Sequence, residues 1–252
     1  MNLQHLTWAE VEEYLKTRAG IIIPCGSTEQ HGPNGMIGTD AICAEALALR
    51  VGDAENILVA PTLAMGQAQF NLSYPGTISL RSETLMHVVR DVVGSLAGQG
   101  FSHFYFLNGH GGNMAPLQAA FQDIYRDFDG ENPVRCRIRS WWDHAPVNEL
   151  RQQQFAEWEG LHATPSEISI TQAVLHALSR SADKPGDMTP LTADFMRNHG
   201  GDNHFDKTSH RAQFPDGRIG SDPWLATPEA GHDLIATATA AIAADYAAFL
   251  TE

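Results

Sequence analysis

The feature that most narrows the fold is an alternation. Short apolar runs at Gly20–Pro24, Asn56–Pro61 and Phe101–Leu107, and a fourth strand at Val134–Trp141, are separated by stretches whose apolar residues recur at helical spacing. In Ser82–Leu96 these are Leu85, Val88, Val89, Val92, Val93 and Leu96. Asp40–Arg50, Met114–Asp127 and the Ala-rich Ala230–Leu250 also read as helices, and Thr7 with Glu10 forms a capping box for one running to about Thr17. Strands followed by helices at this spacing build parallel βαβ units. Near-continuous apolar strands suit a sheet covered on both faces, and such sheets bind ligands beyond the carboxyl ends of their strands. Two Gly-rich polar segments, 26–33 and 108–113, follow predicted strands directly. Residues 185–228, rich in Asp, Asn, His, Gly and Pro, read as irregular surface structure.

Length and composition limit the function. A chain of 252 residues with no evident linker is expected to form one α/β domain. Its 16 Lys+Arg against 30 Asp+Glu, with no basic run, argue against nucleic acid. The three cysteines, Cys25, Cys43 and Cys136, form no CxxC pair, which argues against a disulfide framework or a thiolate zinc site. Residues 1–20 carry no apolar leader core and no window is long enough to span a membrane, so the chain is expected in the cytoplasm.

Three segments carry candidate metal ligands. Glu29 and His31, two residues apart in an extended stretch, project to one side, and Asp40 follows near a helix start. His110 lies just past the third strand. Glu167 lies in the first turns of another helix, with Thr164 or Ser166 as its N-cap. Carboxylates mixed with imidazoles suit Zn, Mn or Fe(II) better than Mg alone. A carboxylate shared by two cations holds them roughly 3.5–4 Å apart and makes a bridging water acidic. Each residue also has an ordinary use: Asp40 as a helix cap, Glu167 as a charge on a helix N-terminus, the histidines as hydrogen-bonded structural groups, Gly111 and Gly112 as turn residues. Trp141, Trp142, Trp158 and Phe70 fit either a pocket wall or the core. His144, His204 and His210 are further candidates for substrate contact.

The stretch Pro24-Cys25-Gly26-Ser27-Thr28-Glu29-Gln30-His31-Gly32-Pro33, followed by Gly38-Thr39-Asp40, resembles the signature of the creatininase family. Tyr74-Pro75-Gly76-Thr77 resembles its F-P-G-T segment, Asn108-Gly109-His110-Gly111-Gly112-Asn113 its N-G-H-G-G-N form, and His162–Ser169 its H-A-G-x-x-E-T-S segment. The resemblance implies a three-layer α/β/α fold with a mostly parallel central sheet, two divalent metal ions and hydrolysis of a C–N bond through a metal-bridged hydroxide. It implies Glu29, His31, Asp40 and His110 as ligands, with Asp40 bridging. Glu167 falls on a family glutamate and is assigned to the second ion; His162 falls on a histidine that moves protons. Trp158 resembles a pocket tryptophan, and Tyr74, Trp141 and the backbone N–H groups of Gly111 and Gly112 are assigned to the substrate. A homo-oligomer, often a hexamer, is implied as well.

Three departures narrow the substrate. Members that open creatinine carry a metal-binding glutamate where this chain has Gly112. Asn34-Gly35-Met36 replaces the family's H-L-P, and Thr164 replaces a glycine. The expected substrate is therefore a small amide, cyclic or not, or a formamide, acted on at a non-peptide C–N bond. The alternatives are a peptidase of cofactor maturation within the same family, a two-metal phosphoesterase, and a non-catalytic binding protein. Against the phosphoesterase, no Arg/Lys cluster lies near the motifs.

Overall fold

The structure is a computed structural model and describes residues 1–130, 133–186, 188–199 and 206–252. Four strands, β1 (Gly20–Cys25), β2 (Leu58–Val59), β3 (His103–Asn108) and β4 (Arg135–Ser140), form one parallel sheet in the order β2-β1-β3-β4. Helices α1 (Trp8–Leu15), α2 (Thr39–Glu55), α3 (Ser82–Ala97), α4 (Met114–Asp127), α5 (Ala145–Phe155), α6 (Pro165–Val174) and α9 (Pro228–Phe249) surround it.

Side-chain alternation along the strands sorts the core into two halves. Ile22, Tyr105 and Leu107 face one way, against Leu47 and Val51 of α2, Val147 and Phe155 of α5, and Leu234 and Ile242 of α9. Ile21, Ile23, Phe104 and Phe106 face the other way, against Leu85 and Val89 of α3 and Leu117, Phe121 and Ile124 of α4. The result is the three-layer α/β/α arrangement expected from apolar strands covered on both faces.

The second predicted strand, 56–61, keeps only Leu58–Val59 as ladder, because Pro61 ends it and β2 pairs with β1 alone. α2 runs five residues beyond the predicted Arg50, to a left-handed Asn56 at φ 53°. Helix α5 was not expected; its polar sequence hid the period, and Pro146 in its first turn reads as a breaker although it is tolerated there. Within 185–228, read as irregular, the structure has two short helices, α7 (Ala193–His199) and α8 (Lys207–Gln213). Among the described residues, no helix is long and apolar enough to cross a membrane.

The strand order reverses direction between β1 and β3, whose carboxyl ends lie side by side with Cys25 opposite Asn108. A crevice at such a reversal is the usual ligand position in a doubly wound sheet. The start of α2 fills it. A Cβ at Gly109 would stand 2.2 Å from the carbonyl oxygen of Asp40, so only glycine lets the helix start approach the end of β3.

Candidate metal centre

The loop after β1 carries Glu29 and His31, the first turn of α2 carries Asp40, the turn after β3 carries His110, and the first turn of α6 carries Glu167. All five side chains are buried although each is polar. Their ligand atoms form two groups: Glu29, Asp40 and His110, and His31, Asp40 and Glu167, with Asp40 common to both. A third group joins Glu29 and His31 to His162.

The histidines are held in one consistent way. His31 Nδ1 lies 3.1 Å from the Glu29 carbonyl oxygen, His110 Nε2 lies 2.9 Å from that of Gln67, and His162 Nε2 lies 2.7 Å from that of Gln30. A backbone carbonyl only accepts, so each of these nitrogens carries the proton. The other ring nitrogen of each is thereby turned on a carboxylate. His31 Nε2 lies 2.8 Å from Asp40 Oδ1, His110 Nδ1 lies 3.1 Å from Asp40 Oδ2, and His162 Nδ1 lies 3.6 Å from Glu29 Oε1. In a neutral imidazole that nitrogen is a lone pair facing a lone pair. Asp40 Oδ2 is buried and accepts no well-formed hydrogen bond. A cation between the facing atoms relieves this arrangement, and a neutral imidazole whose far N–H is tied to a carbonyl is the usual state of a metal-ligating histidine.

Charge is concentrated here. Burial disfavours a charged ring at His31, but Asp40, Glu167 and Glu29 outweigh it and push its pKa up to about 10. Burial opposes ionisation of Asp40 as well, yet His31 and His110 hold that carboxyl well below the usual carboxylate range. Glu167 is pushed up to about 7, chiefly by burial, with His31 opposing and Asp40 adding to the shift. Without a cation between the facing atoms, the buried carboxylates draw the positive charge onto His31, whose Nε2 lies 2.8 Å from Asp40 Oδ1; a bound cation would supply that charge instead. The donor set, three carboxylates and up to three imidazoles, fits divalent Zn, Mn or Fe.

Further residues set the carboxylates. Ser27 Oγ donates to Glu29 Oε2 at 3.2 Å. Glu167 closes the capping box of α6: Oε1 accepts from Thr164 N at 2.5 Å, and Glu167 N donates to Thr164 Oγ1 at 3.2 Å. The N-cap is therefore Thr164, one of the two anticipated residues. Gln67 and Gln30 were not anticipated, because they act through backbone oxygens and no side-chain type signals that role. Arg151 was also missed; it lies on the helix the sequence concealed.

A cleft of about 900 Å³ opens onto the cluster. Glu29, Asp40, His110, His162 and Glu167 line it, as do Gly111, Gly112, Phe70, Trp141 and Trp142. Tyr74 and Trp158 lie outside this lining. Tyr74 sends its hydroxyl to the Phe214 carbonyl and carries the Arg211 guanidinium over its ring at 4.2 Å. The carbonyl of Trp158 accepts from Asp222 N. His144 and His210 are likewise outside the lining, and His210 packs edge-on to Phe70 and Tyr74. His204 lies outside the described residues.

Known proteins resemble this chain along most of its length. The family model Creatininase, described as creatinine amidohydrolase, matches residues 4–246. Creatinine amidohydrolase of Pseudomonas putida is 29% identical over 197 residues, covering 71% of this chain and 75% of that protein. The mycofactocin precursor peptide peptidase of Mycolicibacterium smegmatis is 36% identical over 160 residues, 61% of this chain and 62% of that protein. A solved structure described as creatininase Mn superposes with a TM-score of 0.79 at 25% identity, covering 97% of this chain and 96% of the other.

Proposed function

The chain belongs to the creatininase family of hydrolases, and on that premise we propose that it is a metal-dependent hydrolase cleaving the C–N bond of a small amide or formamide. Glu29, His31, Asp40, His110 and Glu167 would hold two divalent ions, Zn, Mn or Fe, with Asp40 common to both ligand groups. The observation that carries this reading is the pair of imidazole nitrogens turned on the two oxygens of one buried carboxylate, 2.8 and 3.1 Å away. When bound, such ions lower the pKa of water and polarise a carbonyl.

The chain's own groups supply the rest. Glu29 is fixed from a second side by Ser27 Oγ, which donates to Oε2 at 3.2 Å. Backbone N–H groups of Gly111 and Gly112, which line the cleft, donate to the developing oxyanion. His162, its tautomer set by the Gln30 carbonyl, presents Nδ1 beside Glu29; it takes there the proton that the attacking water gives up and passes it to the departing nitrogen as the C–N bond breaks. An amide nitrogen leaves poorly without that proton.

A second reading, cleavage of a peptide, is favoured by the peptidase relative and by a cleft large enough for several residues. A two-metal phosphoesterase is disfavoured, since the single Arg among the described cleft-lining residues is already paired with Glu159. On this reading the enzyme works as a homo-oligomer in the cytoplasm.

The test is elemental analysis of the purified protein together with a hydrolysis panel of cyclic amides, N-formyl compounds and short peptides, before and after chelation. The expected outcome is bound transition metal, turnover of at least one amide, loss on chelation and recovery with Mn²⁺ or Zn²⁺. Protein that holds no transition metal and hydrolyses amides equally well in chelator would refute it.

A further inference from the structure

Helix α5 faces two ways. Val147 and Phe155 are buried in the core beneath it, whereas Asn148, Arg151 and Gln152, spaced i, i+3 and i+4 on one helical face, line the cleft. The metal-centre reading uses none of these three. Among the described residues lining the cleft, Arg151 is the one permanently cationic side chain.

Its head is fixed from several sides. Nε and Nη2 both donate to Glu159 Oε1, at 2.9 and 2.8 Å, and Nε also lies 3.2 Å from Ser166 Oγ. The guanidinium carbon stands 5.5 Å from the Trp141 ring centroid. The side chain is only 13% exposed. A guanidinium has five N–H donors in a rigid fork. Nη1 reaches only Asn148 Oδ1, at 3.5 Å, the outer limit of a hydrogen bond, so it retains donor capacity on a residue that lines the cleft. Arg151 lines the same cleft as Glu29, Asp40, His110 and Glu167, so this rigid donor and the metal centre share one cavity. Buried Glu159 balances its charge, and Asp143 and Glu157, which also line the cleft, disfavour anions there. The combination is a preorganised donor suited to a neutral oxygen acceptor.

We propose that Arg151 is a specificity-determining residue whose Nη1 donates to a second, neutral carbonyl oxygen on the substrate, away from the scissile C–N bond. The substrate class is then amides bearing a further carbonyl group rather than simple alkyl amides. The proposal rests on the hydrolase reading for the identity of the scissile bond, but binding can be tested without it.

The experiment measures binding of three probes to metal-loaded protein by NMR titration: N-acetylglycinamide, the near-isosteric N-isobutylacetamide, and anionic N-acetylglycine. A retained hydrogen bond to a charged donor makes N-acetylglycinamide bind about tenfold tighter than N-isobutylacetamide. N-acetylglycine is expected to bind no better than N-acetylglycinamide. In the double variant Arg151→Gln/Glu159→Gln, which strands no buried charge, the ratio falls to near one while metal content is unchanged. Arg151→Lys, which keeps the charge but loses the fork, lowers the ratio as well and serves if the double variant does not fold. A ratio near one in the unmodified protein, a ratio that survives both variants, or an Arg151-dependent preference for N-acetylglycine overturns the proposal. The hydrolysis panel runs in parallel. A preference without turnover of any amide removes the hydrolase reading and keeps Arg151 as a binding residue; turnover without preference does the reverse.

Discussion

The two ligand groups that share Asp40 are built from different materials. Glu29 and His110 of one group stand on loops at the carboxyl ends of β1 and β3, in the crevice where the strand order reverses. Their far sides are held by Ser27 Oγ and the Gln67 carbonyl, and neither side chain completes a secondary-structure element. The other group draws Glu167 from α6, and that carboxylate also closes the helix's capping box through Thr164. The sheet-borne group is therefore dedicated, and the helix-borne group divides its glutamate between cap and cluster. The contrast has consequences for both mutation and recognition.

Asp40 is the member that ties the groups together, and its loss has the largest effect. Asp40→Ala removes the carboxylate facing His31 Nε2 and His110 Nδ1 at once. Elemental analysis should then find neither ion retained, and kcat/KM should fall by far more than the roughly 10–100-fold typical of losing a supporting group. Retention of a full metal complement would show that Asp40 is not shared. Glu167→Gln separates the halves more finely. Glutamine still accepts from Thr164 N, so the cap survives, but the charge is gone. One ion per chain should remain, in the sheet-borne position, with thermal stability of the metal-free protein little changed or slightly higher, because a buried carboxylate beside Asp40 has been neutralised. Loss of both ions together would erase the distinction between the groups.

Gly112→Ala probes the sheet-borne group by a smaller step. The added Cβ would stand 2.3 Å from the Gln67 carbonyl oxygen and 2.6 Å from His110 Nε2, too close for either to stay. The bond that fixes the His110 tautomer must break. Ion affinity at that position is expected to fall by about 10–100-fold, the usual cost of disturbing an outer-shell partner. Overpacking should also cost roughly 1–3 kcal/mol of stability. Unchanged affinity in a calorimetric titration would mean that the Gln67 carbonyl does not orient the ring. The same crowding gives a physical reason why this chain carries no side chain at 112.

The two groups were not equally legible. β1 and β3 were readable as short, nearly continuous apolar runs, and Glu29 and His110 were readable because they follow those strands. The alternation of Glu29 and His31 in an extended stretch likewise pointed both toward one place. Glu167 had no such signal: a glutamate three residues after a threonine at a helix start is fully explained by a capping box, and only the family motif marked it as more. Gln67 and Gln30 act through carbonyls that every residue possesses. Helix α5, polar apart from Val147, Leu150 and Phe155 and with Pro146 in its first turn, concealed Arg151. Trp158 and Tyr74 carried a motif match, yet both lie outside the cleft lining; a motif locates a segment, while which side of it faces the cleft is decided by packing.

The smallest effect belongs to the cap itself. Thr164→Ala removes the hydroxyl that accepts from Glu167 N at 3.2 Å but leaves the backbone N–H that holds Glu167 Oε1. Loss of an N-cap hydroxyl costs about 1 kcal/mol, and Thr164→Ser should recover most of it. If the helix-borne group shares its glutamate between two tasks, that loss is felt twice. Thermal unfolding of the metal-free protein should shift down, and the ion held with Glu167 should exchange faster while the one held with His110 does not. His110 offers no parallel, since no helix start depends on its side chain. A drop in stability with both exchange rates unchanged would mean that α6 tolerates a frayed start without moving Glu167, and the cap and the cluster would then be neighbours rather than partners.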